Sequence, residues 1–423
     1  MDQKFVINGR QPLAGTIKVK GAKNAALKIF PVALMTREPI SISGLPEIED
    51  CQRAAEMLTA LGHEVKKVMG GLTQIRYKNK ACINLPANLV AKFRASIMFV
   101  GPLLATCGEA YFPHPGGCVI GAGTRPIDEF TDGFAKMGAK IETTENHYRL
   151  TAKKLKGAKI FFRKMTVTGT ESLMTTACLA EGQTVLENCA MEPEIPALAE
   201  FLNSIGAKIE GAGTPTIKIS GVKKLSGGEY KIIPDRVEAG TFAMLAAASG
   251  SGKVLIENCE PTHLEALWAL FDKIGVRYKL GKNLIEISPS KKLIAWDVKT
   301  HEYPGFATDL QPAYTVLMTQ CRGSSLIHET IYDRRLLFTD LLTQMGASII
   351  MADPHRIVVS GPAKLYGRKL VSPDLRAGMA LMMAALIAEG KTEIGNIYQI
   401  ERGYEKLDER LRGIGADIKK ISS

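Results

Sequence analysis

The sequence predicts an α+β protein of two domains, each built from three copies of one β-α-β-α-β-β repeat. Two observations carry this. An apolar–Gly–small signature recurs with a period of about 70 residues, at Leu61-Gly62, Met137-Gly138, Ile205-Gly206, Ile274-Gly275, Met345-Gly346 and Ile414-Gly415. Ahead of each stands a helix-length segment that is apolar nearly all round, which predicts a buried helix. Six buried helices exceed one small core, and two groups of three are the natural closure. A length of 423 residues suits two or three domains.

The third repeat shows the elements in order. Residues 170–180 are apolar and helix-length, and Gly182 ends them as a C′ residue would. Residues 184–189 (TVLENC) read as a short strand. Residues 197–205 are amphipathic, with Leu198, Phe201, Leu202 and Ile205 on one face. Gly206 closes that helix, and AKIEG and TIKIS follow as a hairpin. The fourth repeat copies the pattern as FAMLAAAS, KVLIENC, HLEALWALFDKIG, VRYKL and LIEIS, and ENC itself recurs at Cys189 and Cys259. The strands before Lys23 complete the C-terminal group, which otherwise lacks a first strand. The expected domains are therefore residues 1–22 with 234–423, and residues 23–233.

Composition narrows the function. A hydrophobic content of 46% excludes disorder as the main state. The best apolar run, residues 377–388, lies between Arg376 and Glu389 and has buried-helix length, too short to cross a bilayer. The N-terminus has no apolar signal core. Eight cysteines without a CxxC pair argue against a zinc site or a disulfide scaffold. No metal or cofactor is called for, and a reduced cytoplasmic compartment fits best. The net charge is +11, but aromatics are only 6%, and the densest basic stretch (Lys153, Lys154, Lys156, Lys159, Arg163, Lys164) is broken by apolar residues. These charges read as a solvated surface rather than a nucleic-acid interface, with a few cations left for an anionic small molecule.

The N-termini of the buried helices are where those cations fall. The first carries Lys23 and Asn24, the second Arg94, and the third Thr168 and Thr170. The fourth carries Asp235 and Arg236, the fifth Asp309, and the sixth Asp374 and Arg376. Ordinary capping accounts for the Asp and Thr residues. It does not account for Lys23, Arg94, Arg236 and Arg376, because cations are disfavoured at a helix N-terminus unless an anion is present. Three N-termini should emerge at one end of each domain. Two such ends facing each other would make an anion-binding cleft.

Other motifs are weaker. Gly250-Ser251-Gly252-Lys253 lacks the first glycine of a P-loop and precedes a strand, and Gly121-Ala122-Gly123 has no third glycine in register. Cys51, Cys82, Cys107, Cys178, Cys189, Cys259 and Cys321 sit in ordinary segments and look inert. Cys118 differs. It stands beside Gly116-Gly117 in an inserted loop of the second repeat, with Arg125 following closely. That pattern suits a reactive thiol of lowered pKa, and an ordinary loop cysteine is the alternative.

Several motifs together resemble the UDP-N-acetylglucosamine 1-carboxyvinyltransferase family of enolpyruvyl transferases. They are GAKNAAL from Gly21, FRASI from Phe93, PGGCVIG from Pro115, RPID from Arg125, PDRVEAGTF from Pro234, DLRA from Asp374 and RGYE from Arg402. The resemblance spans essentially the whole chain. It implies two inside-out α/β barrels (α-β prisms) and transfer of the enolpyruvyl group of phosphoenolpyruvate to the sugar 3-hydroxyl of UDP-N-acetylglucosamine, with release of phosphate. In the family this is the first committed step of peptidoglycan synthesis. It implies Cys118 as the acid that protonates the methylene carbon and Asp309 as the base. Lys23, Arg125 and Arg402 match the grip on phosphoenolpyruvate, and Pro126, Ile127, Asp128 and Glu129 continue that motif. Arg94, Lys164, Met165, Thr166, Val167, Asp309 and Ile331 match the nucleotide-sugar contacts. Asn24, Arg335, Asp374 and Arg376 match further polar residues of the site. Glu192 matches an acidic position that would serve equally as a cap for a second helix.

There are two departures from the family. The family loop runs Cys-x-Ile-Gly-x-Arg-Pro, whereas two more residues precede Arg125 here. Phe130 stands where the family has a histidine. The expected partners are the two small-molecule substrates, with no nucleic acid, no membrane and a monomeric chain. Enolpyruvylshikimate-phosphate synthase has the same fold and donor but lacks the PGGC loop. A basic repeat-built RNA-binding protein is the alternative from a different class.

Overall fold

The computed structural model describes residues 3–79, 82–92, 94–114 and 127–422. These form two compact units. The first holds the chain up to Lys20 and from Pro234 onward, and the second holds the described residues between Gly21 and Ile233. Each unit has its own hydrophobic core. Where the chain passes from one unit to the other, the backbone is tied down within each. Asp235 N donates to Lys20 O (2.9 Å) in the first unit, and Ala22 N donates to Ile233 O (2.7 Å) in the second.

Six buried helices carry the architecture: α1 (Lys23–Val32), α2 (Val100–Cys107), α3 (Val167–Ala177), α4 (Arg236–Ser249), α5 (Gln311–Met318) and α6 (Leu375–Ile387). In α6 every residue from Leu375 to Leu386 is buried, as an all-round apolar sequence requires. In the first unit α5 packs on both α4 and α6, and α4 also touches α6. In the second, α2 packs directly on α3. A Cβ at Gly101 would lie 1.9 Å from Thr176 Oγ1, so this close approach needs glycine.

Each repeat faces its helices with one sheet. In the third, Lys159–Phe161 runs parallel to Gln183–Glu187, which pairs antiparallel with Thr216–Ser220, itself antiparallel to Ile209–Glu210. Chain exchange completes two other sheets. Gly15–Lys18 lies parallel to Val254–Glu257 in the fourth repeat, and Gly228–Lys231 lies parallel to Ile40–Ser43 in the first. In the sixth, the N-terminal strand Gln3–Asn8 sits between Lys391–Gly395 and Asp417–Ser422.

The recurring glycine has a physical cause. Gly62, Gly138, Gly206, Gly275, Gly346 and Gly415 all have positive φ, between 84° and 106°, where a Cβ is strained. A second recurrence is visible only in three dimensions. Asn188, Asn258 and Asn396 each adopt positive φ at the end of a central strand. Each donates its side-chain N–H to the backbone carbonyl just past the neighbouring edge strand: Phe162 O (2.9 Å), Val19 O (2.7 Å) and Ser372 O (2.9 Å).

One helix boundary differs from expectation. Helix α3 starts at Val167, not at Thr170, because Thr166 caps it by accepting from Gly169 N at 3.2 Å. Thr170 is fully buried inside the helix and accepts from Ala190 N (3.1 Å). The apolar run continues beyond the helix end at Ala177, so hydropathy alone misplaced both ends.

Candidate active site

In the first unit three helix N-termini converge on charge. Asp235 and Asp374 are true caps: each carboxylate accepts two backbone N–H groups, from Val237 and Glu238 and from Arg376 and Ala377. Asp309 is not a cap. It lies in the short turn Thr308–Leu310 ahead of α5, which has no side-chain cap. Its carboxylate is instead held by two guanidiniums. Arg335 Nη2 reaches Oδ1 at 2.9 Å, and Arg376 reaches Oδ2 through Nε (3.0 Å) and Nη2 (2.9 Å). Burial pushes the Asp309 carboxyl up, but Arg376 and Arg335 reverse this and hold it well below the usual carboxylate range. Arg376 also contacts the Tyr404 hydroxyl at 3.4 Å.

Glu329, which the sequence reading passed over, organises the neighbouring loop. It is fully buried. Its carboxylate accepts from Ile331 N (2.9 Å), Tyr332 N (3.1 Å) and Thr308 Oγ1 (2.9 Å). Arg335 Nη1 donates to Thr308 Oγ1 at 3.0 Å. Ile331, Asp309, Arg335, Arg376 and Asp374 thus form one connected cluster. Arg402, also buried, follows the turn Tyr398–Glu401 and donates to Gln399 Oε1 at 3.4 Å.

In the second unit Lys23 opens α1, and its Nζ lies 2.7 Å from Asp50 Oδ2. The anion inferred from a lysine at a helix N-terminus is therefore supplied in part by the protein itself, as it is for Arg376. Asp50 lies in the first turn of the helix Glu49–Ala60, where an acidic residue is ordinary and gives no sign of a pairing. Asn24 follows Lys23 in α1. Arg94 opens the 3₁₀ turn Arg94–Phe99 that leads into α2. Lys164 and Met165 approach the Thr166 cap, and Val167 begins α3. Ile127, buried, accepts from Phe130 N (3.0 Å) at the start of the helix Asp128–Lys136, and Glu129 lies 3.8 Å from Arg163 Nε. Glu192 is buried but is not a helix cap: the helix Glu194–Ser204 has no side-chain cap. Cys118, Arg125 and Pro126 lie outside the described residues.

The seven described cysteines are all free. Burial pushes the thiols of Cys178, Cys189, Cys259 and Cys321 up to about 12, which leaves them poor nucleophiles.

A family profile for EPSP synthase (3-phosphoshikimate 1-carboxyvinyltransferase) matches residues 7–411. A UDP-N-acetylglucosamine 1-carboxyvinyltransferase of Koribacter versatilis (strain Ellin345) is 44% identical, over 99% of this chain and 96% of that protein. One from Treponema denticola is 41% identical, with 98% of each covered. The chain belongs to the enolpyruvyl transferase family. Among solved structures, the enolpyruvyl transferase NikO from Streptomyces tendae shares the fold of this transferase, with a TM-score of 0.90 at 23% identity over 100% of this chain and 99% of that one. EPSP synthase from Acinetobacter baumannii shares it at a TM-score of 0.75 and 18% identity, with both chains covered completely. Phe130, the expected point of departure from the family, is 6% exposed, a core residue of the Asp128–Lys136 helix.

Proposed function

We propose that the protein transfers the enolpyruvyl group of phosphoenolpyruvate to the 3-hydroxyl of UDP-N-acetylglucosamine and releases phosphate, the first committed step of peptidoglycan synthesis. The observation that carries this is the name shared by full-length relatives at 41–44% identity. The Pro115-Gly116-Gly117-Cys118 loop supports it over shikimate 3-phosphate as acceptor.

The reaction is addition followed by elimination. Cys118 gives its proton to the methylene carbon of phosphoenolpyruvate, which makes the adjacent carbon electrophilic. The sugar hydroxyl adds there, and Asp309 takes its proton. Phosphate then leaves as a proton is lost from the new methyl group. A carboxylate held low by two guanidiniums is a weak base, and a weak base suffices here. The hydroxyl proton becomes strongly acidic as its oxygen bonds to the cationic carbon. Arg335 and Arg376 keep Asp309 ionised and oriented. Lys23, Arg125 and Arg402 hold the phosphate and carboxylate of the donor. Arg94, Lys164 to Val167 and Ile331 hold the nucleotide sugar.

A reducing, cytoplasmic site of action belongs to the same reading. No described helix is long and apolar enough to cross a membrane. The deciding measurement is phosphate release from phosphoenolpyruvate with either acceptor. Release with UDP-N-acetylglucosamine is expected. Release only with shikimate 3-phosphate would move the protein to the other branch of its family. Release with neither, together with steeply salt-dependent RNA binding, would remove it from this chemistry.

A further inference from the structure

One ionic pair is buried in the core of the second unit, between residues that were given no role above. Lys28 of α1 is 6% exposed and Glu171 of α3 is fully buried, and Lys28 Nζ donates to Glu171 Oε2. Both positions are one helical turn from a substrate-facing end. Lys28 follows Asn24 by four residues, and Glu171 follows Val167 by four, so each shares a helix face with a residue of the first turn. Helices α1 and α3 both pack on the outer helix Glu194–Ser204, and the pair adds a direct polar tie between them.

We propose that Lys28 and Glu171 are positioning residues that fix the first turns of α1 and α3 relative to each other, and that they do so only while Glu171 is ionised. The inference rests on the assignment of Lys23, Asn24 and Lys164 to Val167 to substrate binding. The surroundings of Glu171 leave its charge weakly supported. Its second oxygen, Oε1, has no hydrogen-bond partner among the described residues, and neither has the hydroxyl of Tyr230 on the strand Gly228–Lys231. Glu194 on the outer helix and Glu192 just before it add like charge, and Glu194 and Glu200 of that helix act with Glu171 on Tyr230. Burial pushes the Glu171 carboxyl up, Lys28 pulls it back, and Glu194 and Glu192 raise it again, to about 7. Stability alone gives little reason for such a pair, since buried ion pairs are often replaced by apolar residues at no cost. A fixed spacing between the donor-binding and nucleotide-binding turns is what the pair supplies.

The test uses UDP-N-acetylglucosamine alone, because its diphosphate diester does not titrate near neutrality. Affinity is measured by calorimetry between about pH 5.5 and 8.5 for the wild type, Glu171→Gln and Lys28→Met/Glu171→Leu, alongside KM, kcat and melting temperature. The double variant leaves no uncompensated buried charge and should fold. Wild-type affinity should weaken about tenfold as pH falls through 7. The double variant should bind about tenfold more weakly at pH 8, show no such pH dependence, and lose KM more than kcat. A folded double variant with wild-type affinity and the same pH slope would overturn the proposal. So would a wild-type slope in Glu171→Gln. A wild type that binds shikimate 3-phosphate but not UDP-N-acetylglucosamine would instead overturn the substrate assignment beneath it.

Discussion

Both units are built from repeats of one sheet on buried helices, yet each holds a carboxylate near a helix start differently. In the first, Asp309 meets two guanidiniums and is held well below the usual range. In the second, Glu171 pairs with one ammonium, and burial together with the like charge of Glu194 and Glu192 pushes it up to about 7. Position along the helix adds to the contrast. Asp309 lies in the turn ahead of α5, with 27% of its side chain exposed, whereas Glu171 lies a turn inside α3 with none. One scaffold therefore yields a fixed charge and a variable one. The number of cations within reach decides which, rather than burial alone.

The largest effect is expected at a third acid, Cys118. Serine there is far too weak an acid to protonate carbon, so Cys118→Ser should lose turnover by about 10³-fold or more. Intact mass after treatment with the epoxide fosfomycin, which the family resemblance implies reacts with this thiol, should show one addition to the wild type and none to the variant. Addition at Cys82 or Cys107, the two exposed described cysteines, would remove Cys118 as the reactive thiol.

Asp309→Asn should cost about 10²-fold or more in turnover while nucleotide binding is largely kept. Because it leaves two guanidiniums without their anion, it should also lower the melting temperature. Turnover within a few-fold of wild type would make Asp309 a structural counter-ion and nothing more.

The two carboxylates should also separate in stability against pH. Asp309 is depressed in the fold, so its contribution is present above the unfolded value of about 3.9 and is lost only below it. Glu171 is raised, so its contribution is greatest below about 4.5 and is lost as pH rises through about 7. Urea melts should show Glu171→Gln changing the slope only between those two values, and Asp309→Asn only on the acid side. Identical profiles would erase the distinction between the units.

The smallest effect is expected at Glu329. Glu329→Gln keeps one acceptor oxygen but gives up the charge that binds two backbone N–H groups. KM for UDP-N-acetylglucosamine should rise about threefold to tenfold with kcat nearly unchanged. A fall in kcat with KM unchanged would place Glu329 in the chemistry instead.

The repeats were legible because their cause is local. A left-handed residue after a helix demands glycine, and an all-round apolar segment of that length has only a buried fate. The Asp309–Arg376 pair was not legible. Its members are 67 residues apart and meet only because α5 packs on α6. Glu329 left a trace that one sequence can show. Asn188, Asn258 and Asn396 end the central strands of the third, fourth and sixth repeats, and the fifth has Glu329 there. Gly44 and His114 hold the position in the first and second repeats, so an acid stands there only in the fifth. Lys28 and Glu171 escaped notice because they sit inside segments read as apolar, where a charge counted as an interruption rather than half of a pair.

The placement of Gln3–Asn8 between Lys391–Gly395 and Asp417–Ser422 has a consequence for how the molecule is made. A chain emerging from the ribosome can close every sheet of the second unit once the strand Gly228–Lys231 has appeared. The first unit must hold its opening strand unpaired until Lys391–Gly395 and Asp417–Ser422 have been made. One half can therefore fold early in translation, while the other keeps an exposed strand edge until its own partner strands appear.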